Sequence, residues 1–156
     1  MKTININVSS KNYNIHVGKN ILPNTGEILK SIDFNGKVLI VTDDNVAPLY
    51  LKIVENSLKN SGIETFSVIL PNGEENKNME SIMKIYEFAA NSNLNRKDMF
   101  VALGGGVIGD MTGFAASTSL RGVKYVHIPT TLLAQVDSSI GGKTGIDLSF
   151  GKNSVG

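Results

Sequence analysis

The sequence predicts an α/β fold, a parallel sheet with helices on both faces that follows an N-terminal antiparallel hairpin. Three observations predict it. Apolar runs of strand length alternate with stretches of helical spacing. The run Met99 to Leu103 is apolar throughout, as a strand buried on both faces of a parallel sheet requires. Gly104, Gly105 and Gly106 follow that run directly, at the point where a strand would turn into a helix.

In chain order, Ile4 and Ile6 and then Tyr13, Ile15 and Val17 alternate at period two across the polar break Ser9 to Asn12, which predicts the hairpin. Lys37 to Val41 is a strand and Val46 to Asn60 a helix. The helix's apolar positions Val46, Leu49, Ile53, Val54 and Leu58 have helical spacing and stop at Ser61 and Gly62. Thr65 to Leu70 is the next strand. Asn78 then caps a helix with Met79, Ile82, Met83, Tyr86 and Ala90 inward, before the Met99 strand. A small-residue helix follows the glycines, Tyr125 to Ile128 is a strand, and a threonine opens the helix after it. The closing residues Gly151 to Gly156 carry no helix signal, and the chain shows no repeat, linker or low-complexity segment. Ligands in such folds bind at the carboxyl ends of the strands.

At 156 residues with 41% apolar and 19% charged side chains, the chain can bury a core of ordinary single-domain size. A formal charge of +1 gives no basic field for nucleic acid or acidic membranes, and no apolar window has the length of a membrane span. Cysteine is absent, which excludes a disulfide framework, a thiolate nucleophile and thiolate metal ligands. The segment MKTININV lacks the regions of a signal peptide, so the expected setting is cytoplasmic.

Gly104, Gly106 and Gly109 satisfy G-x-G-x-x-G, the Rossmann-like phosphate turn, in which glycines permit positive φ and close backbone approach while the helix start offers free N–H groups to a pyrophosphate. Packing alone also produces such turns. The acidic ribose anchor expected about twenty residues later is missing, since that region reads Gly122, Val123, Lys124, Tyr125. Gly142, Lys143 and Thr144 resemble the end of a P-loop, but its first glycine would fall on Asp137, which disfavours a P-loop kinase or ATPase. Asp43, Asp44 and Asn45 stand at a strand end, where they serve helix capping or ribose recognition. Pro71 to Lys77, with Glu74 between them, is a solvated turn or a ligand loop on the same sheet edge. Asp110 sits in the first turn of the small-residue helix, where its charge suits the dipole. Of Thr130 and Thr131, one hydroxyl caps the next helix and the other is free to meet a ligand. Asp137, Ser138 and Lys143 flank Gly141 and Gly142, a pattern that points to backbone closeness to a small polar substrate or to a plain loop. Arg121 and Lys124 bind an anion or are solvated; His16 and His127 read as packed or surface strand residues that cannot complete a zinc site.

The segments TDDNVAPLY, PNGEENK, GGGVIGDMTGFAAST, LRGV, IPTTLLAQVDSSIGGKTGID and GKN together resemble the 3-dehydroquinate synthase family over essentially the whole chain, the IPTTLLAQVDSSIGGKTG run being the most specific. The resemblance implies that residues 1–156 form the NAD-binding α/β domain, of the dehydroquinate synthase N-terminal kind, and that a second, mostly helical domain with the metal ligands is missing from this sequence. It implies catalytic NAD, with zinc or cobalt only in the full-length enzyme. Asp43 and Asn45 would hold the adenosine part, Glu74 and Lys77 would lie beside the cofactor, and Gly105, Gly106, Val107 and Asp110 would bind its pyrophosphate region, with Thr130 and Thr131 nearby. Asp137, Ser138, Lys143, Lys152 and Asn153 would be the substrate and nicotinamide-side positions. Arg121 would contact substrate phosphate across a homodimer interface. The family reaction converts 3-deoxy-arabino-heptulosonate 7-phosphate to 3-dehydroquinate and phosphate, which classes it as a carbon–oxygen lyase of the shikimate pathway. A related sugar-phosphate cyclase or polyol dehydrogenase, and a stand-alone NAD-binding module, are the alternatives.

Overall fold

The computed structural model describes residues 1–7 and 12–156. Strands β1 (Lys2–Ile6) and β2 (Tyr13–Val17) pair antiparallel with Ile4 opposite Ile15 and Ile6 opposite Tyr13, as the period-two pattern predicts. The part of the expected polar break at Ser9 to Lys11 lies outside the described residues.

The main sheet contains β3 (Val38–Asp43), β4 (Thr65–Leu70), β5 (Met99–Gly104) and β6 (Lys124–Pro129), all parallel and ordered β4-β3-β5-β6. Every residue of β3 and of β5 is buried, which is why these runs read as continuously apolar rather than alternating. Alternate residues feed two cores. Leu39, Val41, Phe100 and Ala102 pack with α3 (Met79–Asn91) and α4 (Gly106–Thr118). Val38, Ile40, Met99 and Val101 pack on the other face with α1 (Thr25–Lys30) and α2 (Lys52–Asn60). The short α1 carries no strong periodic signal. It is fixed to α2 by the Gly26 N–H, which donates to Ser57 Oγ at 2.9 Å.

The structure corrects several local expectations. The helix expected from Val46 opens with a wide π-type turn, Ala47–Leu51, before α2 proper, and that extra-wide turn shifts the phase of its apolar residues. Val54 and Leu58 are buried, whereas Leu49 is 63% exposed and Ile53 39%. Asn78 does cap α3, its side chain accepting from the Ser81 N–H, but the buried face is Ser81, Ile82, Ile85 and Ala89. Met79, Met83 and Ala90 face outward because the stripe Ile82, Ile85, Ala89 fits the sheet and rotates its neighbours away. The last residues form a second hairpin, β7 (Ile146–Leu148) with β8 (Gly151–Val155), whose polar, glycine-flanked strands carry no period-two signal. No helix among the described residues is long and apolar enough to cross a membrane.

Candidate functional site

From β3 the chain passes through α2 on one face to β4; from β5 it passes through α4 on the other face to β6. The winding therefore reverses between β3 and β5. In a doubly wound sheet the crevice outside the carboxyl ends at such a reversal is where ligands bind. The segments leaving those ends are Asp43 to Asn45, Pro71 to Lys77, Gly104 to Gly106, and Pro129 to Thr131.

Helix α4 begins at Gly106, with Gly105 as its extended N-cap and no side chain capping it, so the first-turn N–H groups have no cap partner. None of Gly104, Gly105, Gly106 and Gly109 has positive φ, contrary to the expectation for this turn; these glycines serve close approach. A Cβ on Gly105 would stand 3.0 Å from the Thr131 methyl, and one on Gly106 3.1 Å from Ser138 Oγ. Thr131 Oγ1 accepts from the Ala134 N–H at 3.2 Å, at the helical turn that leads into the π-type segment Ala134–Ser138, while Thr130 Oγ1 is buried without a partner. One threonine hydroxyl is thus used within the chain and the other is left unpaired. Ser138 Oγ is also buried and unpaired. Buried hydroxyls left unpaired cost about 1 to 3 kcal/mol each, and a polar ligand in the crevice would supply what they lack.

The early start of α4 moves Asp110 into the second turn rather than the first, so the dipole argument does not explain it. Its Oδ2 instead receives the Lys77 ammonium at 2.7 Å. Lys77 is 3% exposed and also donates to Asn153 Oδ1 at 2.5 Å. Three segments far apart in sequence therefore meet on one buried cation. Lys152 lies 3.8 Å from Glu74 in the cleft beside Lys77, and Lys143 pairs with Asp137 at 2.8 Å, both pairs exposed. Gly141 and Gly142 adopt φ of +87° and +71°, and a Cβ on either would meet open space. They provide a left-handed turn. The Gly141 N–H donates to Tyr13 Oη at 3.1 Å, which ties this loop to the first hairpin.

At the β3 end, Asp43 Oδ1 accepts from the N–H groups of Asn45 and Val46 at 3.0 and 2.9 Å. Asp43 therefore closes the turn that leads into Ala47–Leu51, a segment with no side-chain cap of its own, and this occupies one carboxylate oxygen. Asp44 Oδ1 accepts from the Asn72 side-chain amide at 2.6 Å and the Asn72 N–H at 3.1 Å, joining the β3 and β4 loops. These hydrogen bonds, the side-chain one foremost, hold its carboxyl below the usual carboxylate range. Arg121 does not join the cluster. It follows α4, exposed at φ of +64°, and directly precedes β6, at the amino ends of the strands rather than the carboxyl ends.

The sequence read His127 as a packed or surface strand residue, but what it packs on and the role of Asp147 were not foreseen. The His127 ring lies against α4 where a Cβ on Gly109 would collide with it, and both ring nitrogens are buried without partners. Burial lowers its pKa, against smaller opposing effects of the Gly104 and Gly105 backbone and the Asp110 carboxylate. Tyr125, on the same face, donates to Gly109 O at 3.3 Å and is pushed up to about 12 by burial, with the Asp110 charge adding to it. The third glycine of G-x-G-x-x-G was the available signal, because it marks close helix–strand packing. Asp147 lies beside Lys77 and Asn153. Among the described residues no group of three His, Cys, Asp or Glu side chains gathers as a metal site.

The family model for the N-terminal region of 3-dehydroquinate synthase matches residues 67–156. The 3-dehydroquinate synthase of Clostridium kluyveri is 47% identical over 156 residues, all of this chain and 44% of its own length. That of Crocosphaera subtropica is 46% identical over 153 residues, 98% of this chain and 42% of its own. The chain thus spans less than half the length of these curated relatives. Among solved structures, 2-deoxy-scyllo-inosose synthase complexed with carbaglucose-6-phosphate, NAD+ and Co2+ superposes with a TM-score of 0.90 at 27% identity, covering 99% of this chain and 42% of that one. The 2-epi-5-epi-valiolone synthase of Streptomyces hygroscopicus, with NAD+ and Zn2+ bound, gives 0.81 at 30% identity, covering 97% and 41%.

Proposed function

Because the chain belongs to the 3-dehydroquinate synthase family, we propose that residues 1–156 form the NAD-binding domain of a 3-dehydroquinate synthase, with the cofactor lying across the crevice between β3 and β5. The observation that carries this reading is the uncapped glycine start of α4 at the winding reversal, beside the unpaired hydroxyls of Thr130 and Ser138. A pyrophosphate fits there: Gly105, Gly106 and Val107 lead α4, and the glycines leave room for close backbone approach. The free oxygen of Asp43 and the exposed side chain of Asn45 suit the adenosine ribose, which supplies the acidic anchor from β3 rather than from the strand after the glycine turn. Glu74 and Lys77 would flank the cofactor.

NAD, when bound, supplies reversible hydride transfer at a substrate alcohol. The chain's own groups position and neutralise charge. Lys143 and Lys152 would face the phosphate and carboxylate of 3-deoxy-arabino-heptulosonate 7-phosphate, and Asp137 and Asn153 would orient its hydroxyls. Asp137 pairs with Lys143 at 2.8 Å on the surface, and a substrate anion would compete for that ammonium. Release of phosphate makes the reaction a carbon–oxygen cleavage. The described residues do not supply a complete metal site. Arg121, remote from this crevice, suits the crevice of a second copy, which makes a homodimer part of the reading. A cytoplasmic setting also belongs to it, supported by the lack of cysteine. Identity of 47% with a 3-dehydroquinate synthase against 27% and 30% with the two cyclases favours this reaction over theirs.

Calorimetric titration of the chain with NAD tests the reading. Saturable binding is expected, and Gly106→Val should abolish it without unfolding the chain, because a side chain there presses on Ser138 and blocks the backbone. Unchanged affinity in that variant would remove the pyrophosphate assignment.

A further inference from the structure

The final hairpin is irregular in a way that bears on the site. Leu148 pairs with Gly151 and Ile146 with Val155, so the single residue Asp147 stands opposite three, Lys152, Asn153 and Ser154. This is a bulge larger than the usual two-against-one kind, with Asn153 in the left-handed region at φ of +49°. A bulge leaves backbone groups without ladder partners. Here Asp147 repairs the loss: its Oδ1 accepts from the Asn153 N–H at 2.7 Å, and its own N–H donates to Lys77 O at 2.8 Å. The same Asn153 then presents Oδ1 to the Lys77 ammonium at 2.5 Å. Asp147 thus grips both ends of one contact, the backbone of Lys77 and the backbone of Asn153. With Glu74, Lys77 and Lys152 it lines an open cleft of about 380 Å³.

We propose that Asp147 is a positioning residue: its carboxylate holds the β7–β8 bulge so that Asn153 and Lys152 stay aimed at the crevice beside Lys77. The role rests on reading that crevice as the cofactor and substrate site. Bulges commonly re-aim side chains next to active sites, and this one places two polar side chains in succession on the crevice side of a short strand. A carboxylate is well suited to the grip, because a charged acceptor makes a stronger hydrogen bond to an N–H than a neutral one does. The acceptor geometry, rather than the charge, is what the bulge requires. An asparagine in its place keeps an Oδ1 acceptor; an alanine does not.

The test uses the 156-residue chain with Asp147→Ala and Asp147→Asn. Amide hydrogen exchange at Asn153 should quicken about tenfold in Asp147→Ala and return to near the parent rate in Asp147→Asn, while the Leu103 amide in β5 stays protected in both and shows that the fold is intact. NAD affinity should fall severalfold in Asp147→Ala and recover in Asp147→Asn. Unchanged exchange at Asn153 in the alanine variant would overturn the grip. Faster exchange with unchanged NAD affinity would reduce Asp147 to a turn residue and overturn the positioning role, as would failure of the asparagine variant to restore exchange. If the parent chain itself shows no saturable NAD binding, the cofactor reading fails, and the grip on Asn153 is decided by exchange alone.

Discussion

At the scale of single residues, the crevice combines groups already satisfied within the chain with groups that are not, and the two kinds call for different tests. Asp43 caps two N–H groups with Oδ1, so removing the side chain would confuse a lost cap with a lost ligand contact. Asp43→Asn keeps the capping acceptor and alters the other oxygen; NAD binding should weaken by about 1 to 3 kcal/mol with little change in melting temperature, read by calorimetry and thermal denaturation. Lys143 should behave otherwise. Joined to the rest of a family enzyme, Lys143→Ala should depress turnover strongly and leave NAD affinity nearly intact, since charge neutralised in the transition state appears in kcat. His127 gives a pH dependence. Burial holds its folded pKa below the ordinary value near 6.5, so the unfolded chain takes up a proton there that the folded chain does not. Stability is then full above that value and falls as pH drops below it, and His127→Gln should flatten the decline of melting temperature between neutral and mildly acid pH. Residue identities at strand ends were legible as candidates for polar work. The pairing of Lys77 with Asp110 and Asn153 was not, because no local pattern announces a contact between residues so far apart in sequence.

Among elements, those whose periodicity reports one burial environment were read well: β4 spans the expected Thr65 to Leu70, and Asn78 caps α3 by the expected mechanism. Misreadings cluster where the helical phase breaks. The π-type turn before α2 rotates Leu49 and Ile53 outward, and Met79, Met83 and Ala90 of α3, expected inward, are exposed because the sheet selects the stripe Ile82, Ile85, Ala89. The packing of α4 on β6 depends on a different signal, the absence of side chains. Gly109→Ala should destabilise the chain by about 1 to 3 kcal/mol, because its methyl meets the His127 ring, and combining it with His127→Ala should recover most of that loss in thermal denaturation. If the two losses simply add, the helix and strand are not in the contact described.

On the scale of the whole molecule, the chain carries a crevice with an uncapped helix start and unpaired hydroxyls, and no cluster of metal-ligating side chains among its described residues. Assayed alone with NAD, zinc and 3-deoxy-arabino-heptulosonate 7-phosphate, it should release no phosphate at an enzymatic rate; adding the complementary C-terminal region of a relative such as the Clostridium kluyveri enzyme should be needed for turnover. The fold class was legible because buried parallel strands leave continuous apolar runs, whereas the order of the strands is a property of how those runs meet. That order has a consequence for how the chain is made. Val38 pairs with Thr65 on one side but with Met99 on the other, so β3 emerges early during synthesis and receives its second neighbour late. Until β5 arrives, an apolar strand edge stands open, a state prone to stick to other chains. Nascent chains released before Met99 should therefore aggregate rather than form a smaller stable sheet, and the step that closes β3 against β5 also creates the crevice.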